Sequence, residues 1–297
     1  MDETLLPAAG YPFSNEHDRS PDHHDALADL FDDATSRCVS ALLPVLSGLR
    51  IAEVAAGGGS MAHRFADAVA GGGPAGDGLA EDGLVDGGLA EGGLVVATDV
   101  NPALIREHPR VLPRAHDITV GPVPDGPFDL VHARALCNWL IDPRAAVANM
   151  ILSLIPGGWV LTEDMVPVGV DTFVIEAPTA DDAALLRRFE AAYLGALAER
   201  GNEQVWPSRA EAVFRGLGLR EVRTSVYQTP WPGGGPGCRM LSAASAQVRA
   251  PMMRAGLTAA ELERADRLLH DPAVVVAGHA LHSTSGQLAG PARGRQG

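Results

Sequence analysis

Apolar residues recur at two different periods along this chain, and the switches between them mark its elements. From Asp25 onward, Ala26, Leu27, Leu30 and Phe31, then Cys38, Val39, Leu42 and Leu43, return at helical spacing, and Pro44 and Gly48 close that helix region. Residues 51–54 are a short apolar run carrying Glu53, which predicts a strand. Gly57, Gly58 and Gly59 then turn the chain into a helix through Phe65 and Val69. A second strand is expected over 94–98, ending at Asp99 and Val100, with Pro102 suited to the first turn of another helix. A third is expected over 114–116, with Asp117 and Ile118 at its carboxyl end. A fourth covers 128–132, followed by Ala133, Arg134 and an apolar helix start reaching Leu140. An amphipathic stretch over 145–154 leads to Pro156-Gly157-Gly158, which turns into a fifth strand at 159–162 with Glu163 and Asp164 where it ends.

Strands alternating with helices from 51 to 164 predict an α/β fold with a doubly wound, mainly parallel sheet. Beyond it, a helix over 181–200 carries Leu186, Phe189, Tyr193 and Leu197 on one stripe. Another over 208–217 has Ser208 as its N-cap. A strand over 219–227, a Pro/Gly turn cluster over 230–237 and a last strand over 274–280 follow. Thr258-x-x-Glu261 is a capping box that opens a final helix to His270. Residues 1–24 lack periodicity and read as an arm, whose Tyr11 and Phe13 either anchor packing or cover a pocket. Residues 70–93 repeat a Gly-Leu-Ala/Val-Glu/Asp pentad, too short for a solenoid and too rich in glycine for a helix, so they read as a flexible insertion. The expected organisation is an arm and capping helices (1–48), a ligand-binding core (49–164), helices and strands completing the sheet (165–283) and a disordered tail (284–297).

Charge narrows the function classes. The chain has a net charge of −14 and no lysine, so every basic residue is arginine. An acidic chain without a basic run argues against a nucleic-acid or anionic-membrane partner. Cys38, Cys137 and Cys238 lie far apart, which disfavours a disulfide framework or zinc site and suits a reducing, cytoplasmic compartment. No apolar run resembles a signal peptide or reaches membrane-spanning length. His23-His24 and His279/His282 have no carboxylate at matching spacing, so no metal is expected and they read as surface histidines.

Candidate chemistry falls at successive strand ends: Glu53 with the glycine turn, then Asp99, Asp117, and Ala133-Arg134. A carboxylate after the second strand offers two acceptor oxygens to a ribose diol, and Asp117 stands where an adenine amino group could donate. At these residues the chain resembles the class I S-adenosylmethionine-dependent methyltransferases, in particular a bacterial small-molecule group with the motif Glu-Val-Gly-Ala-Gly-Gly-Gly-Ser. The matching stretches are Glu53-Val54-Ala55-Ala56-Gly57-Gly58-Gly59-Ser60, Val96-Ala97-Thr98-Asp99, His116-Asp117-Ile118, Phe128-Asp129-Leu130-Val131-His132-Ala133-Arg134, Pro156-Gly157-Gly158-Trp159 and Glu163-Asp164. Ala55 replaces the motif's first glycine, and Cys137-Asn138-Trp139 replaces a more usual acidic-His pair.

The resemblance implies a seven-stranded Rossmann-like methyltransferase fold with an N-terminal helical arm and helical lid insertions. It implies S-adenosylmethionine as cofactor, with S-adenosylhomocysteine as product, held by Glu53, Ala55, Gly57, Gly59, Asp99, Val100, Asp117, Ile118, Ala133 and Arg134. His132 and Asp164 are the candidate general bases, needed only if the acceptor must lose a proton. Tyr11, Phe13, Trp139, Met165 and Arg239 are candidates for the acceptor site, with Trp206, Trp231 and Met240 beside them. The expected activity is O- or N-methylation of a small molecule in specialised metabolism, by a monomer or homodimer. A cyclisation or rearrangement on the same fold and cofactor is the alternative. Gly57-x-Gly59-x-x-Ala62 also fits a relaxed nicotinamide fingerprint, although Asp99 lies about twice the expected spacing beyond it. A silent binding subunit is the remaining reading.

Overall fold

Helix α1 (Ser20–Leu42) begins ahead of the predicted start, inside the expected arm, because Pro21 fits its first turn and needs no amide partner there. The computed structural model describes residues 13, 17–71 and 93–290. Tyr11 and nearly all of the pentad insertion therefore lie outside the described residues. Strand β1 (Arg50–Val54) and helix α2 (Ser60–Val69) flank the glycine turn as expected. Strand β2 (Leu94–Asp99) follows, but Pro102 starts only a single 3-10 turn, Pro102–Leu104. Strand β3 (Val111–Ala115) sits upstream of its predicted place, leaving His116 just beyond it. Strand β4 (Phe128–Arg134) absorbs Ala133 and Arg134. The apolar stretch after it makes a 3-10 turn, Cys137–Trp139, and helix α3 (Pro143–Leu152) opens on an Asp142 cap.

Strand β5 (Leu154–Val166) is much longer than four residues, so Glu163 and Asp164 lie within it rather than at its end. Its Pro156-Gly157-Gly158 segment is a bulge inside the strand, with Gly157 at φ +92° and a register shift against β4. A short strand β6 (Val174–Glu176) precedes helix α4 (Ala180–Glu199). Helix α5 (Trp206–Gly216) starts before Ser208, whose hydroxyl donates to the Val205 carbonyl; Ser208 is not its cap. Strand β7 (Arg220–Tyr227) follows. The Pro/Gly cluster is not one turn, since it holds strand β8 (Pro230–Pro232) and the start of helix α6 (Pro236–Gln247). Helix α7 (Arg249–Arg254) was not foreseen, whereas helix α8 (Ala259–Leu269) opens on the full Thr258–Glu261 capping box. The last predicted strand splits into β9 (Val275–Ala277) and β10 (Ala280–Gln287), so residues 284–287 are strand, not tail.

Seven strands form one sheet in the order β3-β2-β1-β4-β5-β10-β7. The first five are parallel to their neighbours, and β10 runs antiparallel to both β5 and β7. Chain order reverses between β1 and β4, and in such sheets ligands bind at the carboxyl ends of the strands beside that reversal. One face of the sheet packs Val96 and Val131 against Trp206 and Phe214 of α5. The other packs Ile51, Leu130 and Leu161 against Met61 and Phe65 of α2. A third core, including Leu186, Phe189, Trp231, Leu241 and Leu269, joins α4, α6 and α8 to the small sheet β6-β9-β8. Helix α1 packs along α6, which attaches this helical cap to the main sheet.

Candidate active site

Just past β1 the backbone turns left-handed three times, at Ala55 (φ +55°), Gly57 (+52°) and Gly59 (+79°). The turn is anchored by Asp99 at the tip of β2. Its Oδ2 accepts from the Gly57 amide at 2.9 Å, and its Oδ1 accepts from the Asn101 amide at 2.9 Å. Each oxygen retains a second lone pair for a ligand donor. The imidazole of His24, from the first turns of α1, lies so close to the turn that a Cβ at Gly57 would come within 2.7 Å of its Cε1. Glycine is therefore required there for contact as well as for φ. Val100 is half-buried next to Asp99. Asp117 Oδ1 accepts from the Thr119 amide and hydroxyl at 2.8 and 2.7 Å, while Ile118 is buried with its carbonyl bonded to Asn149 Nδ2 at 2.7 Å. A glycine backbone turn flanked by a carboxylate with free lone pairs fits an adenosyl group with a ribose diol. The shelf therefore brings Ala55, Gly57, Gly59, Asp99 and Val100 together, with Asp117 and Ile118 beyond β3.

Glu53 does not reach this shelf by its side chain. It is buried in the sheet, where His132 Nδ1 donates to its Oε2 at 2.5 Å and His132 Nε2 donates to Glu163 Oε2 at 3.2 Å. Glu163 accepts further bonds from the Thr35 and Ser283 hydroxyls, the latter at 2.6 Å. Arg134 turns its guanidinium to Thr35 at 3.1 Å and Asp32 at 2.7 Å. Burial alone would lower the His132 pKa, but the charge of Glu53 and the hydrogen bonds of both carboxylates overcome it and raise it to about 9. Glu163 shows the reverse: burial works to raise it, and His132 with Arg134 holds it below the usual carboxylate range. Both ring nitrogens of His132 are thus engaged, and the ring is fully buried. Ala133 is buried beside it in β4.

Asp164 points to the opposite face of β5. Burial pushes it up to about 7, against the Asn138 amide, which donates to its Oδ1 at 3.2 Å. Asn138 separates it from an open cavity of about 640 Å³, mouth included, lined by Phe13, Trp139, Met165, Tyr193, Met240 and His279 among others. Phe13 meets Trp139 edge-on at 5.6 Å and His23 at 4.9 Å. His23 also lines the cavity and stacks at 5.9 Å on His24, so the start of α1 touches the glycine turn with one histidine and the cavity with the next. Burial, with His24 adding, lowers the His23 pKa to about 3. Of the candidate acceptor residues, Phe13, Trp139, Met165 and Met240 line the cavity. Trp206 and Trp231 are core, and Arg239 pairs on the surface with Asp29 at 2.7 Å.

His279 and Glu190 were missed. His279 is 5% exposed rather than on the surface, as is His23, while His24 and His282 are partly buried. The Val168 amide donates to His279 Nδ1 at 3.4 Å, and its Nε2 faces Glu190 Oε1 at 3.5 Å. Burial lowers His279 to about 4 and raises Glu190 to about 8. Among the described residues, neither Glu190 oxygen nor His279 Nε2 has a hydrogen-bond partner. The sequence did carry a signal for Glu190: it falls on the stripe of Leu186, Phe189 and Tyr193, where an acid is out of place.

Residues 75–162 match the family model described as a methyltransferase domain. No curated protein matches the sequence. Among solved structures, YcgJ of Bacillus subtilis is 13% identical, covering 91% of this chain and 100% of its own, with a TM-score of 0.49. Phosphoethanolamine N-methyltransferase 2 of Haemonchus contortus, in complex with S-adenosyl-L-methionine, is 12% identical over 95% of this chain and 56% of its own, with a TM-score of 0.48. The [4+2]-cyclase SpnF is 16% identical over 87% of this chain and 82% of its own, with a TM-score of 0.44.

Proposed function

We propose that the chain is a class I S-adenosylmethionine-dependent methyltransferase and that it methylates a small molecule bound in the cavity beside the glycine shelf, a reading supported by the methyltransferase-domain match and the sheet order. The cofactor supplies an electrophilic methyl group on a sulfonium. Gly57 and Gly59 let the backbone approach it, Asp99 takes the ribose hydroxyls, and Asp117 with Ile118 takes the adenine. The observation that carries this reading is the adjacency of shelf and cavity through the His23–His24 step. An in-line displacement needs its two partners held in contact and little else. The cavity rings from Phe13 and Trp139 do that holding on the acceptor side.

His132 serves this reading as a positioning residue: clamped between Glu53 and Glu163, it ties β1, β4 and β5 together beneath the shelf. The Oδ1 of buried Asn138, which has no partner among the described residues, is offered to an acceptor donor. A reducing, cytoplasmic setting suits the three free cysteines.

Calorimetric titration with S-adenosylhomocysteine tests the shelf. Asp99→Ala is expected to weaken binding about tenfold, the scale of one lost charge-assisted hydrogen bond. Unchanged affinity would remove Asp99 from the ribose site. Methyl transfer itself is read from an acceptor mass gain of one methyl group with S-adenosylhomocysteine released, and a product of unchanged mass would point to cyclisation or rearrangement instead.

A further inference from the structure

We propose that His279 is the proton acceptor for the group being methylated, with Glu190 behind it as a positioning residue, and that this group is a hydroxyl on an uncharged, ring-bearing molecule. The proposal rests on the reading above that the cavity holds the methyl acceptor. Three observations lead to it.

First, among the described residues the cavity lining contains no Arg, Asp or Glu, and its polar side chains are amides, imidazoles, one phenol and one indole. A charged acceptor would enter desolvated and unpaired, which is costly. The rings of Phe13, Trp139 and Tyr193 and the thioethers of Met165 and Met240 suit a flat apolar body instead.

Second, His279 has a front and a back. Its Nδ1 lies on the side of Val168, next to Pro167, which lines the cavity, and the 3.4 Å contact with the Val168 amide is long enough to yield. Its Nε2 is turned to Glu190, which is not among the residues that line the cavity. The ring plane is fixed by Trp231 edge-on at 5.1 Å and Phe173 stacked at 6.4 Å. A neutral ring whose Nε2 carries the hydrogen keeps a lone pair on Nδ1, where the cavity is.

Third, Glu190 is a fully buried carboxyl on α4 whose two oxygens have no hydrogen-bond partner among the described residues. Left so, it costs stability, and a positive charge appearing beside it would favour its ionised form. Protonation of His279 creates that charge 3.5 Å away. In the step proposed, the acceptor O–H bond breaks, a bond forms from its hydrogen to Nδ1, and the electron pair stays on the acceptor oxygen. The Nε2–H then closes on Glu190, and the proton later leaves to solvent. Among the described residues, Glu190 is the ionisable side chain that faces His279. His23, the other cavity imidazole, is packed against Phe13 and His24 with no carboxylate behind it.

The test uses the full chain without cofactor and a matched pair of probes, 2-naphthol and its methyl ether, followed by quenching of tryptophan fluorescence. The wild type is expected to prefer naphthol by about tenfold, as for one hydrogen bond to a buried neutral acceptor. His279→Gln and Glu190→Gln should each abolish most of that preference while leaving ether affinity in place, with thermal melts confirming that both variants fold. Long-range proton–nitrogen spectra should show the His279 hydrogen on Nε2 in the wild type. Equal binding of both probes, a preference that survives His279→Gln, or a hydrogen on Nδ1 would each overturn the proposal. S-adenosylhomocysteine titration of the same samples separates the two readings. Cofactor binding without naphthol preference sinks only the proton acceptor, and naphthol preference without cofactor binding sinks only methyl transfer.

Discussion

Two buried clusters in this protein use the same chemistry, a histidine against glutamate, and they are built to opposite standards. In the sheet, His132 has a carboxylate on each nitrogen, and Glu163 is bonded by Thr35 and Ser283 as well. Under the helical cap, His279 and Glu190 stand 3.5 Å apart with their facing atoms unpartnered. The first cluster is saturated and buried within the sheet, so its charge is a fixed part of the fold. The second borders the cavity and lacks what would complete it. A satisfied buried network specifies structure, whereas an unsatisfied one beside a cavity marks a place where something else must bind.

The largest effect should come from breaking the saturated cluster. His132→Ala leaves Glu53 and Glu163 buried without their shared counter-charge, and a loss of about 3–5 kcal/mol is expected in urea unfolding. The cluster also sets an alkaline limit. Because the folded pKa of His132 is raised to about 9, its contribution is complete below the unfolded value near 6.5 and is lost as the pH climbs through 9. A flat unfolding profile between pH 6 and 10 would contradict the protonated sandwich.

The opposite sign is expected at the second cluster. Glu190→Gln removes a buried carboxyl that has no donor, so the variant should be more stable than the wild type, by roughly 2 kcal/mol at pH 9. Its folded pKa is raised to about 8, so the wild-type contribution holds below the normal carboxylate range and fades as pH rises through 8. The stabilisation by Glu190→Gln should therefore grow between pH 5 and pH 9. Melting curves showing destabilisation at every pH would mean that Glu190 has a partner in solution and that the contrast between the clusters fails.

The difference between the clusters also explains what could be read from the sequence. The parallel strands, the glycine turn and the acids after β1 and β2 are local patterns, and β1, β2, α2 and the Thr258 capping box fall where spacing and turn chemistry put them. The place of Asp99 at the tip of β2 was legible because it follows from the strand pattern alone. The cavity was not, since Phe13, Trp139, Tyr193 and His279 come from four distant stretches that only the helical cap brings together. One interior strand was hard as well: β10 reads Ala-Leu-His-Ser-Thr-Ser-Gly-Gln, too polar for a sheet interior by pattern, yet it pairs on both sides and Ser283, Thr284 and Ser285 are buried. Ser283 is there for Glu163, a bond across 120 residues that no local window contains.

A smaller test compares Asp164 with its replacement by asparagine. Burial raises Asp164 to about 7, so the wild type loses its contribution as pH rises through neutrality, while Asp164→Asn should show a shallower pH dependence there. The Asn138 amide can still donate to the new side-chain oxygen. At pH 6 the two proteins should differ by less than about 1 kcal/mol.

The smallest effect is expected at two backbone positions that the same comparison isolates. Ala55 follows β1 and Ala135 follows β4, and both are left-handed at φ +55°. Each carries a Cβ in a conformation that costs an L-residue roughly 1–2 kcal/mol. Ala55→Gly relieves that cost but adds freedom to the unfolded chain, worth about 0.4–1 kcal/mol in the other direction. A net gain of up to about 1 kcal/mol is therefore expected from Ala55→Gly. Ala55→Val, branched at the strained position, should cost at least that much. Equal stability of the glycine, alanine and valine forms would show that the turn after β1 relaxes to negative φ, and the shelf would then lose the geometry that opens its backbone to a ligand.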